Sequence, residues 1–108
     1  MNNEDKKILS GLIESCLTIK ASVFYPFLKE KVLLTRMPNK MKFYSHYKYM
    51  LNCLNCNSNK ILHYKWERID WFGNKLSLVI YDSIHKYPRL TFIIEKKNEK
   101  LYIETLPF

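Results

Sequence analysis

The sequence predicts an α+β domain, with N-terminal helices packed on an antiparallel sheet of about four strands. Three observations carry that reading. Apolar residues before position 55 recur at helical spacing, those after position 60 follow a period of two, and short turn signals stand at Gly73-Asn74 and Asn98-Glu99. At 108 residues the chain has room for one hydrophobic core, so 1–108 reads as a single domain.

The first helix is expected from Asn3 or Glu4 to about Lys20. Ile8, Leu9, Leu12, Ile13, Cys16 and Ile19 share one side, and Glu4 and Asp5 suit the positive end of the helix dipole. A second, short helix is expected over Ser22–Lys29, with Ser22 as its cap and Pro26 in its first turn, where a missing N–H costs little. Val32 to Thr35 reads as a short strand that Pro38 stops. Asn39 then caps a third helix running from Lys40 to about Asn55, with Phe43, Tyr44, Tyr47, Met50, Leu51 and Leu54 as its apolar stripe.

After a polar break the strands are expected at Ile61–Phe72, Leu76–Ile84, Arg89–Lys96 and Lys100 to about Leu106. A two-residue loop at Gly73-Asn74 would fix the register of the first hairpin. It sets Trp71 opposite Leu76, Ile69 opposite Leu78, Glu67 opposite Ile80 and Lys65 opposite Asp82. The reverse face then carries Tyr64, Trp66, Arg68, Val79 and Tyr81. One face covers the helices. The other is an aromatic patch of the kind that marks association, and a homodimer through those five residues is expected.

Composition excludes more than it assigns. Only two glycines occur, so no glycine-rich phosphate loop is available. The net charge of +8 rests on fifteen lysines and three arginines scattered along the chain, which reads first as a solvated basic surface. The competing reading is a nucleic-acid-binding module that uses Lys40, Lys42, Tyr44, His46, Lys48 and Tyr49 on the third helix. It is the alternative rather than the favoured reading, because the same helix needs its other aromatics for the core. No run of 18 apolar residues spans a membrane, and no signal peptide is evident. Three cysteines without an export signal suggest reduced thiols and a cytoplasmic location.

Cys53-Leu54-Asn55-Cys56 has the gap of a zinc half-site, but no second pair accompanies it, and it falls at a helix C-terminus rather than the end that activates a thiolate. Neither a metal nor a cofactor is expected. No nucleophile–base motif is present, so the reading leans away from an enzyme and leaves catalytic residues unassigned.

The element order, together with Phe27-Leu28-Lys29-Glu30-Lys31-Val32-Leu33-Leu34, Pro38-Asn39-Lys40-Met41-Lys42-Phe43-Tyr44 and the closing hairpin from Phe92 to Ile103, resembles the nuclear transport factor 2-like superfamily (NTF2-like), with its cystatin-like fold and SnoaL-like members. The resemblance implies a cone-shaped sheet around an apolar cavity, frequent homodimerisation, and either a small-molecule-binding or an accessory role. Lys65, Glu67, Asp82, Trp71 and Tyr47 are then the cavity candidates. A carboxylate in such a cavity would be pushed up toward a general base. The simpler reading of Lys65 and Asp82 is a cross-strand ion pair.

Overall fold

The computed structural model describes residues 3–34, 39–54, 62–68 and 75–105. Helix α1 covers Asn3–Thr18, a 3₁₀ turn follows at Ala21–Val23, and helix α2 covers Tyr25–Lys31. Strand β1 is Leu33–Leu34, helix α3 is Lys40–Leu54, and the long strands are β2 His63–Arg68, β3 Lys75–Tyr81, β4 Leu90–Lys97 and β5 Lys100–Thr105. The expected class holds: helices first, then four antiparallel strands. Strand β1 adds a fifth, parallel to β5, giving the order β1-β5-β4-β3-β2.

Local chemistry explains the element ends. Helix α1 stops at Thr18 because Ile19 turns left-handed, with φ 56°. The Lys20 N–H then reaches the Ser15 carbonyl at 2.9 Å and the Ile19 N–H reaches that of Cys16 at 3.2 Å, closing the last turn on itself. Asn39 caps α3 as expected, its Oδ1 accepting from the N–H groups of Met41 at 2.9 Å and Lys42 at 3.2 Å. Ser22 does not cap α2. It lies inside the 3₁₀ turn, the position before α2 is Phe24, and no side chain caps that end. Pro26 sits in the first turn of α2, as its missing donor favours. Asn98 and Glu99 make the tight β4–β5 turn, with φ 51° and 61° and Lys97 facing Lys100.

The core lies between the helices and one sheet face. Leu9, Leu12, Cys16, Phe43, Tyr47, Leu51, Leu78, Ile80, Phe92, Ile94 and Ile103 are all buried there, as the periodicities predict. Ile13, on the apolar side expected of α1, only flanks it, as does Phe27, while Ile8, Ala21, Phe24, Leu28, Val32, Leu54, Leu90 and Leu101 complete it. Phe27 lies instead on the outside of α1 at Gly11, where a Cβ would come within 2.6 Å of the Phe27 ring. Lys96 ties β4 to α1 through a 2.6 Å ion pair with Asp5.

The β2–β3 register departs from the expected one by three residues. Trp66 faces Leu78, Tyr64 faces Ile80, Lys65 faces Val79 and Glu67 faces Ser77. An odd shift exchanges the faces of a strand. Tyr64 and Trp66 therefore share the helix side of the sheet with Leu78 and Ile80, while Val79 and Tyr81 share the other side with Lys65 and Glu67. The expected five-residue aromatic patch is thereby divided between two faces. The physical reason is matching of alternation: aromatic positions of β2 sit beside the apolar positions of β3, and charged ones beside Ser77 and Val79. Residues 69–74, including Trp71 and the Gly73-Asn74 turn, lie outside the described residues, as does Cys56.

Candidate functional site

Three places carry the chemistry available to this fold. The first is interior. Tyr47 projects from α3 into the core with no exposed surface, its ring edge-on to Phe92 at 5.5 Å between centroids and to Phe24 at 6.2 Å. Its hydroxyl hydrogen-bonds Ser15 Oγ and lies 3.3 Å from Cys16 Sγ, and Ser15 Oγ donates to the Leu12 carbonyl at 2.7 Å. These contacts form one directional relay: the Cys16 thiol donates to Tyr47, Tyr47 to Ser15, and Ser15 to the backbone. Burial pushes the Cys16 thiol up to about 12, and burial, with Cys16 beside it, raises the Tyr47 phenol well above its ordinary value. Both groups are held neutral. A thiol so placed is a structural one.

The second place is the turn after β3. Asp82 is buried and its carboxylate is fully engaged: Oδ1 accepts from the N–H groups of Ile84 at 3.0 Å and His85 at 2.7 Å, and Oδ2 lies 2.9 Å from His85 Nδ1 and 3.3 Å from Arg89 Nη1. Burial alone would raise this carboxyl. Hydrogen bonds from the His85 N–H and imidazole and from the Ile84 N–H, with the Coulombic effect of His85, outweigh it, holding Asp82 well below the usual carboxylate range. The arrangement makes Asp82 the organiser of its own turn and removes it as a proton acceptor near neutral pH. The spacing Asp82–His85, with Asp closing a turn on the N–H groups two and three residues on, was a sequence signal for this cluster.

The third place is the free edge of the sheet. Strand β2 is terminal in the strand order and pairs only with β3 among the described residues. His63, Tyr64, Lys65, Trp66 and Glu67 are all exposed, with Tyr64 at 45% and Trp66 at 37%. His63 stacks on Tyr81 at 5.4 Å, bracing the start of the strand.

The structure separates the cavity candidates. Tyr47 is in the core, Lys65 and Glu67 are exposed on the opposite face of the sheet, and Asp82 is in the turn beyond β3. Lys65 faces Val79 rather than Asp82, so the expected cross-strand ion pair is replaced by Asp82's bonds to His85 and Arg89. Outside the core, two adjoining open hollows of about 280 and 340 Å³ run along α1 over Phe27, rimmed by Lys7 with Glu4 and Glu14. Among the described residues no three His, Cys, Asp or Glu side chains group as metal ligands, and no helix is long and apolar enough to cross a membrane.

No family model matches the chain, and no curated protein matches it. Among solved structures it is similar to an NTF2-like protein of unknown function from Cytophaga hutchinsonii, at 10% identity and a TM-score of 0.46, over 94% of this chain and 89% of the other.

Proposed function

We propose that the protein is a homodimeric, non-enzymatic accessory module whose working surface is the free β2 edge of its sheet. The observation that carries this reading is the contrast between Tyr47 and Trp66. Tyr47 has no exposed surface and its hydroxyl is already engaged, whereas Trp66, on the same side of the sheet, is 37% exposed on an edge strand. The Tyr47 ring packs edge-on against Phe24 and Phe92, while large aromatic surface is offered at the sheet edge. Aromatic residues are the side chains enriched at interface centres. Light scattering on the purified protein at tens of micromolar tests the proposal. A mass of two chains supports it, and a mass of one overturns it.

A second reading, nucleic-acid binding, is favoured by one observation. On α3, Tyr49 is 67% exposed beside exposed Lys42 and His46, and the chain carries a net charge of +8. One exposed aromatic and dispersed lysines make a poor track for a strand of bases. A salt titration with a generic single-stranded DNA separates the two readings. Phosphate binding strong at 50 mM salt and falling steeply by 200 mM would favour this one.

A further inference from the structure

We infer that two copies of this chain join through their β2 edges, pairing antiparallel about Trp66 so that Lys65 of each copy faces Glu67 of the other. The inference rests on the homodimer proposed above and specifies its interface. Strand β2 presents its second edge unpaired among the described residues, and an unpaired edge is a template for another strand.

The sequence of β2 selects the partner and the register. In a pair related by a two-fold axis perpendicular to the sheet, one residue must face its own copy. Centring on Trp66 sets Trp66 against Trp66 on the helix side and makes two Lys65–Glu67 pairs on the other side. Centring one position earlier opposes Lys65 to Lys65. Centring one position later opposes Glu67 to Glu67. Like charges directly opposite each other are destabilising and opposite charges stabilising, so one register of the three is favoured by charge. It also covers the two aromatic rings, Tyr64 and Trp66, left 45% and 37% exposed. The same charges that would repel an unrelated strand make this strand complementary to itself.

Charge reversal tests the register. Lys65 and Glu67 are both exposed, so Lys65→Glu and Glu67→Lys leave the fold intact, which a thermal melt verifies. In sedimentation, each single reversal is expected to weaken dimerisation at least tenfold, and the double variant K65E/E67K to restore it. A dimeric wild type indifferent to the single reversals, or a double variant no better than the singles, would overturn the β2 register while leaving the homodimer standing. A monomeric wild type would overturn both. Cross-linking gives an independent readout in a Cys53→Ser, Cys56→Ser background. Facing Cα atoms in an antiparallel pair lie roughly 4.5–5.5 Å apart, within disulfide range. Trp66→Cys should therefore form a covalent dimer on mild oxidation and Lys65→Cys should do so much less; equal yields would count against the register.

Discussion

The Tyr47 hydroxyl meets Ser15 Oγ across the α1–α3 contact, and that bond ends a relay that starts at the Cys16 thiol. It makes the centre of the fold a satisfied polar cluster inside an apolar shell. Tyr47→Phe removes the middle member and leaves Ser15 bonded to Leu12, so it should cost about 1 kcal/mol in a denaturant melt. The cluster also sets an alkaline limit. In the folded chain the Cys16 thiol is raised from 9.0 to about 12 and the Tyr47 phenol lies well above 10.0, so the unfolded chain loses these protons first. Stability should be at its full value below pH 9 and fall as pH rises above it. In Tyr47→Phe that decline should be shallower. A stability curve flat from pH 8 to 11 would remove the cluster from the account.

The thiols should react in two classes. Cys53 is exposed and Cys16 is buried with a raised pKa. In a Cys56→Ser background a disulfide reagent at pH 8 should label one thiol at once, and the second only at the rate of unfolding. Immediate labelling of both would mean that the interior opens far more readily than its packing implies.

These two sites show how far the sequence was legible. The helical stripes of α1 and α3 placed Tyr47 and Cys16 in the core, because periodicity reports which face is buried. It could not report that Ser15, one step off the stripe, would bond Tyr47, since that depends on how α1 and α3 meet. The Asn39 cap and the Asn98-Glu99 turn were legible because each is local chemistry. A two-residue loop at Gly73-Asn74 predicts a β2–β3 register three residues away from the observed one. The alternation of Tyr64 and Trp66 with Lys65 and Glu67, set against that of Leu76, Leu78 and Ile80 with Lys75 and Ser77, points to the observed pairing. Burying one face of a strand constrains register more strongly than a single turn signal. With the faces exchanged, the supposed cavity group of Lys65, Glu67 and Asp82 came apart.

Acid should unfold the protein through Asp82. Its carboxyl is held below the usual range in the fold against 3.8 as the reference value, so the unfolded chain takes up the proton first. The stabilisation is complete above about pH 4 and is lost as pH falls below it. Asp82→Asn keeps the side-chain oxygen facing the Ile84 and His85 N–H groups but removes the titration, so its stability should be lower near pH 7 and change less between pH 4 and 2. An acid limb identical to that of wild type would place the responsible carboxylate elsewhere.

The Lys96–Asp5 pair joins residues 91 positions apart, with the lysine side chain 30% exposed and the aspartate 6%. Lys96→Met leaves a nearly buried carboxylate short of its cation and should cost about 1–2 kcal/mol, less than a fully buried pair because water reaches the lysine. A denaturant melt of the variant beside wild type at pH 7 checks it.

Sedimentation velocity of the wild type beside Trp66→Glu, at micromolar concentration, tests the central claim most directly. Trp66 lies at the centre of the proposed pairing, and its partial exposure lets the substitution be made without opening the core. The wild type should sediment as two copies of a 13.1 kDa chain and Trp66→Glu as one. A wild type that stays monomeric at tens of micromolar, or a Trp66→Glu variant that remains fully dimeric, would contradict it.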